Sequence, residues 1–263
     1  MNTIVCLKQV PDTMQVEIDP QTNTLIRQGI KNILNPFDTH ALEEGVRVKE
    51  IYGGKVTAIS MGPRQAEETL REAISTGADE AILLSDSAFA GADTLATAYT
   101  LAAAINKIEA YDLIICGQQT IDGDTGQVAP QLAQMLEIPF IAYVNKIQVI
   151  NNGYMHIERM VEEGYEVIET PLPAVINVAK EINIPRLPSL RGLAKAKSAT
   201  IPIWTAQELN VDKDRVGLAG SATSVIRIFS PERVRQNQPE ILQGTLENQV
   251  ASLLNNLRER RLI

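Results

Sequence analysis

Leu113-Ile114-Ile115-Cys116 runs directly into Gly117-Gln118-Gln119-Thr120-Ile121-Asp122-Gly123-Asp124-Thr125, and then into a helical pattern that extends to about Leu136. Four apolar residues in a row, without polar alternation, read as a strand buried on both faces. A strand, a glycine-bearing turn and a helix, in that order, are the building unit of a parallel α/β sheet. Asp124 or Thr125 is expected to open the helix.

Outward from that stretch, the same unit recurs. Ile4 to Leu7, Val56 to Ser60 and Ala81 to Leu84 are three more apolar strands. Asp38 is placed to cap a helix that runs to about Glu50. Gly62-Pro63 is placed to open one that Gly77 closes, and Asp93 to cap one through about Lys107. Val16 to Ile26 alternates around Asp19-Pro20, as a small hairpin would. From about Phe140 to Ala179 the texture changes. Ile147 to Ile150 and Tyr165 to Ile168 look like strands, and Asn151-Asn152-Gly153 looks like a tight turn, so this part reads as an antiparallel extension of the same domain. Residues 183–198, rich in Pro, Arg and Lys, read as an exposed loop. The end of the chain reads as one or two polar helices with too little apolar surface for a core of their own.

The composition narrows the function. At 263 residues and 44% apolar, a sizeable core is available. A net charge of −8 argues against a general nucleic-acid binder, which needs a basic face. Cys6 and Cys116 lie in apolar runs and read as buried small hydrophobes, not a disulfide framework. With only His40 and His156 and no CxxC, an ordinary zinc site is not expected. The N-terminal residues lack the layout of a signal peptide, and the longest nearly uncharged stretch, Leu95 to Ile105, is too short for a bilayer. The expectation is a cytoplasmic protein without membrane insertion.

Ligands of open α/β sheets bind at the carboxyl ends of the strands. Here those ends are Lys8–Pro11, Ser60–Pro63, Ser85–Thr94 and Gly117–Thr125. Three run into helix N-termini, where free N–H groups and the helix dipole suit a phosphate. Gly117 and Gly123 allow close backbone approach, Thr125 can donate to a phosphate oxygen, and Gln127 can reach a groove wall. The same residues read equally well as a turn and an N-cap built from Asp122, Asp124 and Thr125. Two carboxylates would repel a diphosphate, so at least one is expected to face ribose hydroxyls or structure. No GxGxxG, Walker-type GxxxxGK or GxSxG motif occurs, and no nucleophile or general base stands out. Any chemistry then belongs to a bound cofactor.

Asn35-Pro36-Phe37 before a helix resembles the beta subunits of electron-transfer flavoproteins. So do Gly117-x-Gln119-x-Ile121-Asp122-x-Asp124 followed by Gln127, Arg71 to Asp79, and Asn183-x-Pro185-Arg186 continuing through Leu190 to Lys195-Ala196-Lys197. The resemblance spans nearly the whole chain. It implies a Rossmann-like fold of the adenine-nucleotide alpha-hydrolase type: a parallel sheet with helices on both faces, the antiparallel extension and a C-terminal helical arm. Residues 1–230 would form the nucleotide-binding domain, with loop 183–198 exposed for partner recognition, and 231–263 an arm that wraps the alpha subunit. Simple members hold AMP in this pocket, and electron-bifurcating members hold a second FAD. Asp122-Gly123-Asp124-Thr125-x-Gln127-Val128 and Ala90 to Leu95 resemble the bifurcating group, with Gly126 and Ala129 as small departures.

By that resemblance the cofactor site comprises Cys6, Lys8, Asn35, Phe37, Asp38, Ser60, Met61, Gly62, Thr94, Asp122, Gly123, Asp124, Thr125, Gln127 and Val128. The partner site comprises Arg186, Leu190, Arg191 and Lys195. NADH is the implied donor. The implied partners are the alpha subunit, an acyl-CoA or lactate-type dehydrogenase, and ferredoxin or flavodoxin. A universal-stress-type ATP-binding sensor is the alternative from another class; the basic loop and long tail speak against it.

Overall fold

The computed structural model describes residues 1–12, 31–108, 110–226 and 241–263; the hairpin expected over Val16 to Ile26 lies outside them. In chain order the described elements begin with β1 (Thr3–Leu7), β2 (Gln9–Pro11), β3 (Asn32–Leu34), α1 (Pro36–Tyr52), β4 (Val56–Met61), α2 (Glu67–Thr76), β5 (Glu80–Leu84), α3 (Thr94–Asn106) and β6 (Leu113–Gly117). There follow α4 (Val128–Leu136), β7 (Phe140–Asn151), β8 (Tyr154–Val161), β9 (Gly164–Pro171), β10 (Ala174–Val178), α5 (Leu190–Ser198), β11 (Ile203–Trp204) and α6 (Ala206–Leu209). Nine strands form one sheet in the order β11-β5-β4-β1-β6-β10-β7-β8-β9. All are parallel as far as β7; β8 and β9 are antiparallel.

The pleat sorts the strand side chains into two layers. Val5 and Leu7 of β1 cluster with Ala41, Leu42 and Val46 of α1 and Leu70 of α2. Ile4 and Cys6 cluster with Ala98, Leu101 and Ile105 of α3 and Leu132 of α4. Both faces of β1 are therefore covered, which is why its sequence does not alternate. The extension differs. Asn152 and Gly153 have φ of 49° and 79°, the left-handed pair that closes a two-residue hairpin between β7 and β8. Val144, Ile150, Met155 and Ile157 are buried on one side of this hairpin, while Val149 and Tyr154 are exposed.

Four sequence expectations are corrected. Asp38 does not cap α1: the helix begins at Pro36 with Asn35 in the cap position, and Asp38 is buried in its first turn. Neither Asp124 nor Thr125 opens α4, which starts at Val128 behind Gln127. Asp124 and Gly126 both adopt positive φ, 52° and 61°, and so cannot belong to a right-handed helix. Gly62-Pro63 opens a short 3-10 turn, Arg64–Ala66, ahead of α2, which Gly77 closes as expected. Residues 183–198 are not one loop. The two prolines keep only the first part extended, and α5 starts once Ser189 accepts the Gly192 N–H at 2.9 Å.

Helix α5 lies against α2. The Arg71 guanidinium donates to the Ala196 and Ala199 carbonyls at its end, and Lys195 donates to the Ala78 carbonyl at 3.0 Å. Residues Met1–Ile226 form one compact unit and Arg227–Ile263 another. In the latter, α7 (Leu246–Glu259) is capped by Thr245, and Leu246, Val250, Leu253 and Leu257 fall on one of its faces. Among the described residues no helix is long and apolar enough to cross a membrane.

A Cβ on Gly192 would overlap the Ser75 carbonyl of α2. Gly192→Ala should therefore push α5 outward and cost about 1–3 kcal/mol. For a domain of this size that lowers Tm by roughly 2–10 °C. Thermal unfolding followed by circular dichroism checks this, and an unchanged Tm would mean that α5 is only loosely held.

Candidate functional site

From β1 the chain moves to β4 and β5 on one side, then returns to β6 on the other. The connections after β1 and β6 thus diverge, and a crevice opens at the carboxyl ends of the sheet. Two segments meet there. Asn35 is fully buried; its amide donates to the Gln119 carbonyl at 2.9 Å and accepts the Ile121 N–H at 3.3 Å. Its own N–H donates to the Lys8 carbonyl at 2.9 Å. One side chain therefore joins the end of β1, the start of α1 and the loop after β6.

Asp38 lies beneath this junction and accepts the Lys8 N–H at 2.8 Å. Burial pushes its carboxyl up to about 7, against the opposing pull of its hydrogen bonds and the Lys8 charge. Gly117 is required here, because a Cβ would collide with the Asp38 carboxylate and the Phe37 backbone. Cys6 and Cys116 are opposite one another in β1 and β6, both buried in the core layer below. Donating its S–H to Cys6, together with burial, pushes the Cys116 thiol up. Cys6, named for the cofactor site, is buried in that core layer.

The loop above has its charges matched. Lys8 Nζ donates to both Asp122 oxygens at 2.8 and 2.7 Å. Burial pushes the Asp122 carboxyl up, but its bonds to Lys8 and Thr120 outweigh that and hold it below the ordinary range. Asp124 accepts from the Gln119 amide, and its N–H donates to the Thr120 carbonyl at 2.9 Å. The Asp124 carboxylate is thus matched within the turn itself, although it caps no helix. Gly123, Thr125 and Gln127 are exposed, and beside Gly123 the space is open, with only Thr120 Oγ1 3.7 Å from where a Cβ would be. Val128 is half-buried and packs on the second core layer.

At the ends of β4 and β5 lies a cavity of about 520 Å³ lined by Met61, Gly62, Pro63, Ser85–Ser87 and Phe89–Ala92. Met61 and Gly62, expected at the cofactor site, are among its lining residues. Ser60 is fully buried, and it alternates with Ile59 and Met61, so its side chain turns to the other face of the sheet. Its hydroxyl has no partner among the described residues. Thr94 is the first residue of α3, next to the cavity wall, behind an Asp93 carboxylate that accepts from Leu95 and Ala96 N–H. Sequence reasoning marked Ser85–Thr94 as a strand end but missed Asp86. Asp86 accepts N–H groups from Ala88 and Ala206, both at 3.0 Å, and so ties the wall to α6. An Asp two residues ahead of a turn N–H was the available signal.

The partner residues divide. Leu190 is 88% exposed, and its neighbours Leu187 and Ile184 are nearly as exposed, at 87% and 83%. Arg191 is exposed as well. The Arg186 guanidinium is clamped by Glu43 and Glu50 of α1 through bonds of 2.6–3.2 Å, which raises its already high pKa. Its charge is matched within the chain, and the same holds in part for Lys195, which caps the turn after α2.

The fold is that of an open, doubly wound α/β protein with a crevice at the carboxyl ends of its strands. Residues 22–209 match the electron transfer flavoprotein domain, and the chain belongs to that family, among its beta subunits. It is 50% identical, over the full length of both chains, to an electron transfer flavoprotein subunit beta of Thermoanaerobacterium thermosaccharolyticum. It is 46% identical, again over both full lengths, to the caffeyl-CoA reductase-Etf complex subunit CarD of Acetobacterium woodii. Protein FixA of Azotobacter vinelandii shares 42% identity over 93% of this chain and 89% of its own.

The raised Asp38 carboxyl fixes a pH dependence. Unfolded, the group loses its proton near 3.8; folded, it keeps it to about 7. Its stabilising contribution is complete below the unfolded value and is lost as pH rises through the folded one. Asp38→Asn should therefore remove part of the stability loss between pH 5 and pH 8. Urea midpoints of both proteins at the two pH values decide it; equal losses would show that Asp38 titrates normally.

Proposed function

We propose that this chain is the beta subunit of a bifurcating electron-transfer flavoprotein and that its crevice holds FAD. The open space at Gly123, next to an Asp122 whose charge Lys8 matches, carries this reading. A side chain at 123 would narrow the approach, and an unmatched carboxylate at 122 would repel a diphosphate. The residues present fit such a group. Phe37 and the Met61-Gly62 wall would take the adenosine above the buried Asn35 and Asp38, which would shape that side from below, and Gly123, Thr125 and Gln127 the phosphate and flavin side. When bound, the flavin would supply the redox chemistry, taking a hydride from NADH and parting with electrons singly to two acceptors. The chain's own residues bind and orient: Asn35 sets the width of the crevice, Lys8 holds Asp122, and the cavity wall covers one side.

The partners that follow are an alpha subunit gripped by residues 231–263, an acyl-CoA or lactate-type dehydrogenase, and ferredoxin or flavodoxin. The relative named as part of a caffeyl-CoA reductase complex supports an acyl-CoA type. The dehydrogenase would meet the exposed apolar edge of Ile184, Leu187 and Leu190, which the Arg186 clamp holds in place.

Acid extraction of the heterodimer should release two FAD and no AMP. One FAD and one AMP would replace this reading by the AMP-holding, non-bifurcating one. Gly123→Asp should lose flavin before it loses folding.

Leu190→Ala should weaken electron transfer to the dehydrogenase by about tenfold, or about 1.4 kcal/mol. Tm and flavin content should stay level, since the side chain stands in solvent. Steady-state rates against dehydrogenase concentration measure it, and an unchanged rate removes Leu190 from the interface.

A further inference from the structure

One wall of the cavity does not stand by itself. Residues 86–92 are backed by a strap from later in the chain, residues 216–223. Val216 is buried in the same core layer as Phe89. The Leu218 N–H donates to the Ala90 carbonyl at 2.9 Å, and a Cβ on Gly91 would press on Leu218. Gly217, at φ 55°, passes so close to the Ala88 and Ala90 carbonyls that no side chain fits there. Ser221 Oγ accepts the Asp93 N–H at 2.8 Å and donates to the Gly217 carbonyl at 2.8 Å. Thr223 donates to Asp93 Oδ2 twice, from its N–H at 2.9 Å and its hydroxyl at 3.0 Å.

Asp93 thus has two tasks, one per oxygen. Oδ1 caps α3 through Leu95 and Ala96, and Oδ2 holds the strap. The wall, Ser87 to Ala92, ends in the small residues Ala90-Gly91-Ala92, of which the first two are exposed and the third half-buried. Short segments of this kind keep their shape only through what they are bonded to. A cavity wall that shifts by an ångström loses complementarity to a ligand without exposing any core.

We propose that Ser221 and Thr223, acting through Asp93, are positioning residues that hold the 86–92 wall and so set how tightly the crevice takes an adenine nucleotide. This rests on the reading of the crevice as a nucleotide site. It places affinity under the control of the stretch that leads out of the first compact unit, beyond the residues the ligand would touch.

The test uses the full chain, with co-purified nucleotide dialysed out, as wild type, Ser221→Ala/Thr223→Val and Thr223→Ser. AMP and FAD are titrated separately by calorimetry, and amide exchange is followed at 88–92. The double variant should bind at least threefold more weakly and exchange faster at 88–92, with Tm close to wild type because Ser221 and Thr223 lie outside the core. Thr223→Ser, which keeps the donor, should bind as wild type does. A loss under threefold, or a loss with exchange at 88–92 unchanged, overturns the proposal. So does a Thr223→Ser variant as weak as the double one. If the wild type takes neither AMP nor FAD, the nucleotide reading fails. The strap then stands or falls on whether exchange at 88–92 rises in the double variant.

Discussion

The buried amide of Asn35 is the contact on which the rest of the site depends. Its NH2 group and its oxygen both lie out of reach of water; the Gln119 carbonyl accepts from the one and the Ile121 N–H donates to the other. A buried polar group left unmatched costs more than the bond itself gains, so this pairing fixes where the loop after β6 can lie. With that loop in place, Lys8 meets Asp122, Asp124 turns back on Gln119, and Gly123 is left facing open space. The chemistry proposed for the crevice follows from that arrangement more than from any reactive side chain.

Helix α1 extends this order away from the crevice. Its first turn carries Asp38 at the junction. The next turn presents His40 to Asn183, and further along Glu43, Glu44 and Glu50 hold Asn183 and Arg186. Glu43 is deeply buried, yet the Arg186 and Arg47 bonds outweigh burial and keep its carboxyl below the ordinary range. Glu44 goes the other way: burial raises it against a hydrogen bond from Asn183. The extended segment with Ile184 and Leu187 is therefore fixed at its polar residues and free at its apolar ones. Such an arrangement loses little entropy when a partner covers the apolar edge.

The sequence by itself determined the parallel sheet, because strands covered on both faces must be apolar at every position, as Ile4 to Leu7 and Leu113 to Cys116 are. It determined the hairpin at Asn152-Gly153 and the Asp93 cap, since both are local chemistry. The stretches that meet at the crevice were legible too, as strand ends followed by glycine. What only the tertiary structure decided was the partner of each polar group. Asp38 looks like a helix cap in one dimension, and in three it is sealed under Gly117. Arg186 looks like a free cation until Glu43 and Glu50, more than a hundred residues away, close on it. The 216–223 strap carries no motif at all. Charge matching and burial at these sites depend on contacts distant in sequence, and local patterns carry no record of them.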